Sequence, residues 1–173
     1  MTEQNTTRVH DALEIAVEPL SSAAAIELIA ALNAELSARY PEPGATHFRL
    51  EQSEVSPGSG AFLVVRSLGR PIGCGALRSL RDPALVAALG PNVGELKRMY
   101  VAPNVRGHGV GRALLDRLEA EARMLGLTRI VLEAGTRQAE ALALYSRAGY
   151  TRIEPYGEYA SSPETSICLE KIL

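Results

Sequence analysis

The 173-residue chain is poor in cysteine: it has two, Cys74 and Cys168, far apart in sequence. That spacing fits neither a disulfide framework nor a metal-ligand pattern, so a thiol-stapled scaffold and a metal centre are not expected. No apolar run approaches the roughly 18 residues needed to span a bilayer, which argues against a membrane protein. Met1 to Asp11 is polar and lacks the apolar core of a signal peptide, so the expected location is the reducing cytoplasm. An excess of one charge is missing as well. Lys plus Arg is 18 and Asp plus Glu is 20, a net −2, whereas sequence-independent nucleic-acid binding needs a basic face. Apolar residues at 46% and charged residues at 22% are ordinary for a packed globule and exclude a disordered or low-complexity chain. The length predicts one domain over residues 13–173, preceded by a flexible N-terminus, residues 1–12. The charge is uneven, however: residues 1–60 are net −6 and the remainder net +4.

The hydrophobic pattern reads as a mixture of hairpins and crossovers. Leu13 to Glu18 alternates as a half-buried strand does, and Ser21 or Ser22 can cap a helix with the stripe Ala25, Ile29, Leu32 and Leu36. Tyr40-Pro41-Glu42-Pro43-Gly44 stops that helix, and residues 45–60 read as loop. Ala61 to Arg66 and Ile72 to Leu80 form a hairpin about Leu68 to Pro71, followed by a short helical turn from Ala84 to Leu89. Glu95 to Val101 is the next strand. Gly109 to Leu125 is the clearest helix, with Val110, Leu114, Leu118, Ala122 and Leu125 on one face and a Glu119–Arg123 pair on the other. A short strand at Ile130 to Leu132, a helix from Gln138 to Ala148, and strands at Tyr150–Tyr156 and Thr165–Leu169 complete the pattern. The fold class is therefore α+β, with helices around a mixed sheet. Cys74 and Cys168 fall on buried strands and read as small packing residues.

The chemistry concentrates between Glu95 and Arg112. There a strand gives way to Arg106-Gly107-His108-Gly109-Val110-Gly111-Arg112 and then to the long helix. The N–H groups of a first helical turn lack intrahelical acceptors, and glycines let an anion approach them. Arg106 and Arg112 can add charge at the rim. A Walker loop needs Gly-Lys-Ser/Thr, which is absent, and a dinucleotide fingerprint fails because its sixth position is Arg112.

Arg106-x-x-Gly109-x-Gly111 resembles the pyrophosphate-binding motif of the GNAT superfamily of N-acetyltransferases. The resemblance extends to the strand ending Met99-Tyr100-Val101-Ala102-Pro103 and to Ala141-Leu142-Ala143-Leu144-Tyr145-Ser146-Arg147-Ala148-Gly149-Tyr150, covering about residues 61–155. It implies a mostly antiparallel sheet splayed at the cofactor site, and acetyl-CoA as the cofactor. The backbone of Arg106, Gly107, His108, Gly109, Val110, Gly111 and Arg112 would hold the pyrophosphate. The backbone of Met99, Tyr100 and Val101 would pair with the pantetheine arm. A backbone N–H near Tyr100 would polarise the carbonyl. Tyr145 occupies the position of the family's general acid, and Glu95 that of the general base in some members. Gln138 stands where many members have Asn, seven residues before the tyrosine.

The acceptor side of such a fold draws on the first helix, the loop after it and the last strands, which here supply Tyr40, Glu42, His47, Tyr156, Glu158 and Tyr159. Acids and tyrosines suit a cationic amine, while Arg78 and Arg98 could hold a carboxylate. The expected activity is transfer of the acetyl group to a primary amine of a small or amino-acid-like molecule by direct attack. A non-catalytic acyl-CoA sensor and a protein lysine or N-terminal acetyltransferase are the alternatives. The resemblance allows a homodimer and implies neither nucleic acid nor membrane as partner. Residues 97–112 hold Lys97, Arg98, Arg106 and Arg112 and no acid, a cationic strip suited to an anionic cofactor.

Overall fold

A computed structural model describes residues 13–44 and 49–173, so the expectations for residues 1–12 and for His47 lie outside the described residues. The strands are Leu13–Val17 (β1), Gly60–Ser67 (β2), Arg70–Ser79 (β3), Val93–Val101 (β4), Arg129–Gly135 (β5), Thr151–Ile153 (β6) and Ser166–Ile172 (β7). The helices are Ala23–Arg39 (α1), Pro83–Leu89 (α2), Val110–Met124 (α3) and Ala139–Arg147 (α4). The strands form one sheet in the order β1-β2-β3-β4-β5-β7-β6, antiparallel throughout except where β4 lies parallel to β5. This is the mixed sheet that the pattern predicts, mostly antiparallel as the resemblance implies. Among the described residues no helix is long and apolar enough to cross a membrane.

Period-two alternation divides β2 between two layers. Ala61, Leu63 and Val65 join Leu114, Leu115, Leu118 and Ala122 of α3 in one core, while Phe62 and Val64 meet Ala24, Ala25 and Leu28 of α1 in another. Leu68 and Gly69, with φ of 50° and 78°, make the two-residue turn between β2 and β3. Ser22 is the cap of α1: its Oγ accepts from the Ala25 N–H at 3.1 Å and donates to Glu18 at 2.7 Å.

The sheet opens in the middle. β4 pairs with β5 only from Val93 to Leu96, opposite Arg129 to Leu132. Beyond Leu96 the strands part, β4 staying with β3 and β5 staying with β7. A bulge accompanies the split: the β3–β4 register slips between Cys74 and Ala76, and Arg98 adopts φ of 58°. Left-handed backbone costs a residue with a Cβ about 1–2 kcal/mol. The extra residue returns Met99 to the α3 side with Leu96, and Tyr100 packs on the α1 side. Gly75 faces the bulge, where a Cβ would lie 2.8 Å from Met99 Sδ and 2.9 Å from Leu118 Cδ1.

Several elements differ from the pattern. Residues 45–60 contain a 3-10 turn, Gln52–Val55, closed by reciprocal bonds between Glu51 and Glu54. β5 runs on to Gly135 because β7 pairs with it along its whole length. The strand expected at Tyr150–Tyr156 shortens to Thr151–Ile153, since the chain passes Pro155 into a 3-10 turn at Gly157–Ser161. Glu119 lies inside the protein, 4% exposed, where it accepts from Lys171 Nζ at 2.8 Å and from the Tyr150 hydroxyl at 3.2 Å; Arg123 is a more distant partner at 3.8 Å.

Leu114 is fully buried where α3 meets the sheet. Leu114→Ala should lower the unfolding free energy by about 2–5 kcal/mol in a urea titration. A loss below about 1 kcal/mol, less than buried leucine truncation otherwise costs, would mean that α3 is loosely docked.

Candidate active site

The gap between β4 and β5 is a cleft. Leu96 to Met99 of β4 and Glu133 to Gly135 of β5 form its sides, Tyr40 and Leu36 close it at the end of α1, and Gln138, Tyr145 and Tyr159 face it from the remaining edge. Tyr40 is fixed in that wall: its hydroxyl accepts the Arg137 backbone N–H at 2.7 Å, and a Cβ on Gly135 would overlap it. Arg137 stacks over the Tyr40 ring at 5.0 Å and pairs with Glu42 at 2.6 Å.

At the outer end of β4 the chain turns through Pro103–Val105 into the glycine segment. Gly107 and Gly109 have φ of 77° and 79°, which explains glycine at both, and a Cβ on Gly107 would meet nothing within 4 Å. Gly111 serves packing instead, because its Cβ would press Leu144 Cδ2 of α4 at 3.2 Å. The bond from the Ala113 N–H to the Gly109 carbonyl, 3.0 Å, closes the first turn of α3, so the N–H groups of Val110, Gly111 and Arg112 precede the helical ladder. The Val110 side chain is core, leaving only its backbone to the site. Arg112 is half-exposed and pairs with Asp116 at 2.9 Å. His108 Nδ1 lies 2.9 Å from the Arg106 carbonyl.

The expectation that the Arg106 side chain adds charge to this rim needs correction. Its Nε donates to the Val101 carbonyl at 2.8 Å, its Nη2 pairs with Glu35 of α1 at 2.7 Å, and the guanidinium lies 5.7 Å from the Tyr100 ring centroid. The ends of β4 and α1 are tied together, and only the Arg106 backbone faces the glycine segment. Along Met99, Tyr100 and Val101 the edge of β4 turned towards β5 has no strand partner. An unpaired strand edge beside an open helix N-terminus fits an extended arm ending in a phosphate group.

The ionisable groups sort into two sets. Inside the cleft, Tyr145 is buried, and burial together with the nearby Glu133 charge pushes its phenol well above the usual range. Gln138 caps α4 from the cleft without using its side chain as a cap. Glu133 shares the cleft with Tyr145, and burial raises its carboxyl from 4.5 to about 7; a bond with Ser166 opposes that shift and the charge of Glu95 adds to it. Sequence reasoning passed over Glu133. The available signal was an acid within an otherwise apolar strand, where Ile130, Leu132 and Ala134 face the α3 core.

The second set centres on Glu95, where β4 and β5 are still paired. Glu95 is 1% exposed; it accepts from Arg78 Nη2 at 3.0 Å and from the Tyr156 hydroxyl at 2.9 Å, with Lys97 Nζ at 3.9 Å. Its carboxylate is caged by donors and does not line the cleft. Arg78 is held between Glu95 and Glu54, so the expectation that it grips a substrate carboxylate is also corrected. Arg98 does line the cleft; its guanidinium bonds Asn33 of α1, and burial lowers its pKa from the ordinary arginine value. Glu158 reaches Lys97 at 3.6 Å, and Tyr156 packs edge-on against Tyr159 at 5.3 Å. Cys74 and Cys168 are both buried, which pushes their thiols to about 12 and about 11, and Cys74 Sγ donates to the Arg98 carbonyl.

Comparison with known proteins agrees with this geometry. The sequence model of the acetyltransferase (GNAT) family matches residues 26–150. An "IAA acetyltransferase" from Azospirillum brasilense is 37% identical over 150 residues, covering 87% of this chain and 91% of that protein. A Klebsiella pneumoniae structure named as an acyl-CoA N-acyltransferase superposes with a TM-score of 0.75 at 33% identity, over 93% of this chain and 97% of the other. A GNAT family acetyltransferase from Elizabethkingia anophelis, solved with acetyl-CoA bound, shares the fold at 17% identity with a TM-score of 0.64, over 94% and 99% of the chains.

The Glu133 carboxyl sets a pH test of stability. Its folded value near 7 exceeds the ordinary 4.5, so between those values the folded state holds the extra proton and stability falls as pH rises. Glu133→Gln removes that penalty. Above pH 8 the variant should be the more stable by at most about 3 kcal/mol, a ceiling because the side chain is partly exposed. The gap should close below about pH 4.5, where both states of the wild type are protonated. Equal melting temperatures across the range would show that Glu133 titrates normally.

Proposed function

Since the chain belongs to the acetyltransferase (GNAT) family and is on that ground an acetyl-CoA-dependent N-acyltransferase, we propose that its acceptor is the primary amine of a small, amino-acid-like molecule. The observation that carries this reading is the presence of Glu133 and Tyr145 in one cleft whose β4 side carries Lys97 and Arg98. An acid beside two buried cations suits a molecule bearing both an amine and a carboxylate. Walls formed by Tyr40 and Tyr159 favour a small acceptor over a folded protein surface.

When bound, acetyl-CoA supplies an acyl group activated as a thioester. The backbone N–H groups from Gly107 to Arg112 would hold its pyrophosphate, and the open edge of Met99, Tyr100 and Val101 its pantetheine arm. A backbone N–H near Tyr100 would stabilise negative charge on the acyl oxygen, a donor fixed before the reaction by the strand that carries it. Glu133 would take the proton that an ammonium must lose before it can attack. With a pKa near 7 it is half ionised at neutrality, the range in which a general base works best. Tyr145 stays protonated at that pH, and its Oη would deliver a proton to the leaving sulfur. Glu95, which sequence position suggests as the base, is enclosed by Arg78 and Tyr156, and the geometry favours Glu133 over it.

Two measurements test this. Acetyl-CoA should raise the melting temperature, and continue to raise it with the logarithm of its concentration above Kd, and amines or amino acids should release free thiol. Binding without thiol release across amines, amino acids and peptides would indicate a sensor, and turnover confined to peptides would indicate a protein acetyltransferase. With a competent acceptor, kcat/KM should rise with pH through about 7 as Glu133 ionises. Tyr145→Phe should lower kcat by about 10²–10⁴ with acetyl-CoA affinity nearly unchanged. Lost affinity with normal turnover would remove Tyr145 from the acid role.

A further inference from the structure

We propose that Glu95 is a positioning residue whose bond to the Tyr156 hydroxyl clamps the segment Tyr156–Ser161 as the acceptor-side wall of the cleft. The inference rests on the reading of the cleft as the acyl-transfer site, and it separates Glu95 from proton transfer.

Glu95 is a buried carboxylate, 1% exposed. Removing a charge from water costs several kcal/mol unless donors replace the lost hydration. Glu95 has such donors on both oxygens: Arg78 at 3.0 Å and Lys97 at 3.9 Å on Oε1, and Tyr156 at 2.9 Å on Oε2. Arg78 is itself braced by Glu54, in the 3-10 turn beside β2 and β3. The carboxylate therefore belongs to the rigid central sheet, and its second oxygen holds a residue outside that sheet.

That residue begins the 3-10 turn Gly157–Ser161, which lies between β6 and β7 and has no strand pairing of its own. Tyr156 and Tyr159 pack in an apolar cluster with Leu80, Val93, Val131 and Cys168, and two polar contacts of the segment lead back to Glu95. Tyr156 bonds Glu95 directly and places Tyr159 by edge-on packing at 5.3 Å. Lys97, drawn towards Glu95, also reaches Glu158 at 3.6 Å. A further contact is independent of Glu95: Gly157, with φ of 53°, backs so closely on Leu85 of α2 that a Cβ would lie 3.0 Å from Leu85 Cδ2. Tyr159 is the member of the segment that lines the cleft, which it shares with Glu133 and Tyr145. Loosening the clamp changes where Tyr159 stands and leaves the glycine segment, beyond the outer end of β4, untouched.

Tyr156→Phe and Glu95→Gln are the test variants, each assayed as the full chain with a competent acceptor. Tyr156→Phe keeps the ring and deletes only the donor. It should raise the acceptor KM about tenfold, as loss of a hydrogen bond to a charged group does. Its kcat, its acetyl-CoA affinity and the pH midpoint near 7 should stay close to wild type. Glu95→Gln should give the same split with a larger KM effect. Loss of the pH-dependent limb in Glu95→Gln, with acceptor KM unchanged, would make Glu95 the base and overturn the proposal. Normal kinetics in Tyr156→Phe would also overturn it. If the wild type acetylates nothing, the clamp is read by hydrogen exchange of the protein without ligand. Faster exchange confined to the segment after Tyr156 in Tyr156→Phe supports it, and unchanged exchange there refutes it. That readout holds even if the acyl-transfer reading fails.

Discussion

A parallel ladder that stops after four residue pairs governs this structure. Had β4 and β5 stayed together past Leu96 and Leu132, their backbone groups would satisfy one another and the sheet would be continuous. Instead the bulge at Arg98 turns β4 aside while β7 keeps β5 on course. The split leaves an unpaired strand edge, a cleft between two diverging strands, and a helix N-terminus at the outer end of the opening. Each candidate site residue takes its meaning from its place relative to that split. Leu96 is the last residue on the closed side. Lys97, Arg98 and Glu133 are the first on the open side.

Charge is distributed around the split in a way that average composition conceals. Below it, Glu95, Arg78 and Glu54 compensate one another within the sheet. Above it, burial outweighs the nearby Lys97 charge and keeps the proton on Glu133 until near neutrality. Two glutamates on neighbouring strands are thereby given different settings, one enclosed by hydrogen-bond donors and one desolvated until its carboxyl holds a proton near neutrality. Surrounding donors and desolvation set that difference, since the two side chains are chemically the same. The arginines show the same division. Arg78 and Arg106 are structural ties, whereas Arg98 reaches the cleft.

Local features were legible in the sequence. The stripe of α3, the hairpin turn at Leu68-Gly69, the glycines after β4 and the position of Tyr145 follow from periodicity, backbone preference and a two-part resemblance. Directions of side chains were not legible. Nothing near Arg106 in sequence reveals that Glu35, on α1, draws the guanidinium away from the glycine segment. Arg78 reads as a surface cation until Glu54 and Glu95 are brought to it from other elements. Glu133 was missed because its character depends on three non-local events: divergence from β4, pairing with β7 and cover from α4. Gly111 carries the converse lesson. It belongs to the motif by position, yet Leu144 on another helix is the neighbour that a side chain there would press, at 3.2 Å.

The two cysteines, buried on opposite sides of the sheet's centre, matter for a reaction that moves an acyl group from sulfur to nitrogen. A protein thiolate within reach of a thioester would be a competing acceptor and would capture the acyl group on the enzyme itself. Here both thiols are enclosed and held as neutral S–H well above physiological pH. The polypeptide contributes no competing sulfur nucleophile of its own. As a practical corollary, a thiol-specific chromogenic reagent added to the native protein meets no accessible sulfhydryl among the described residues, and colour that appears during turnover reports the liberated coenzyme alone.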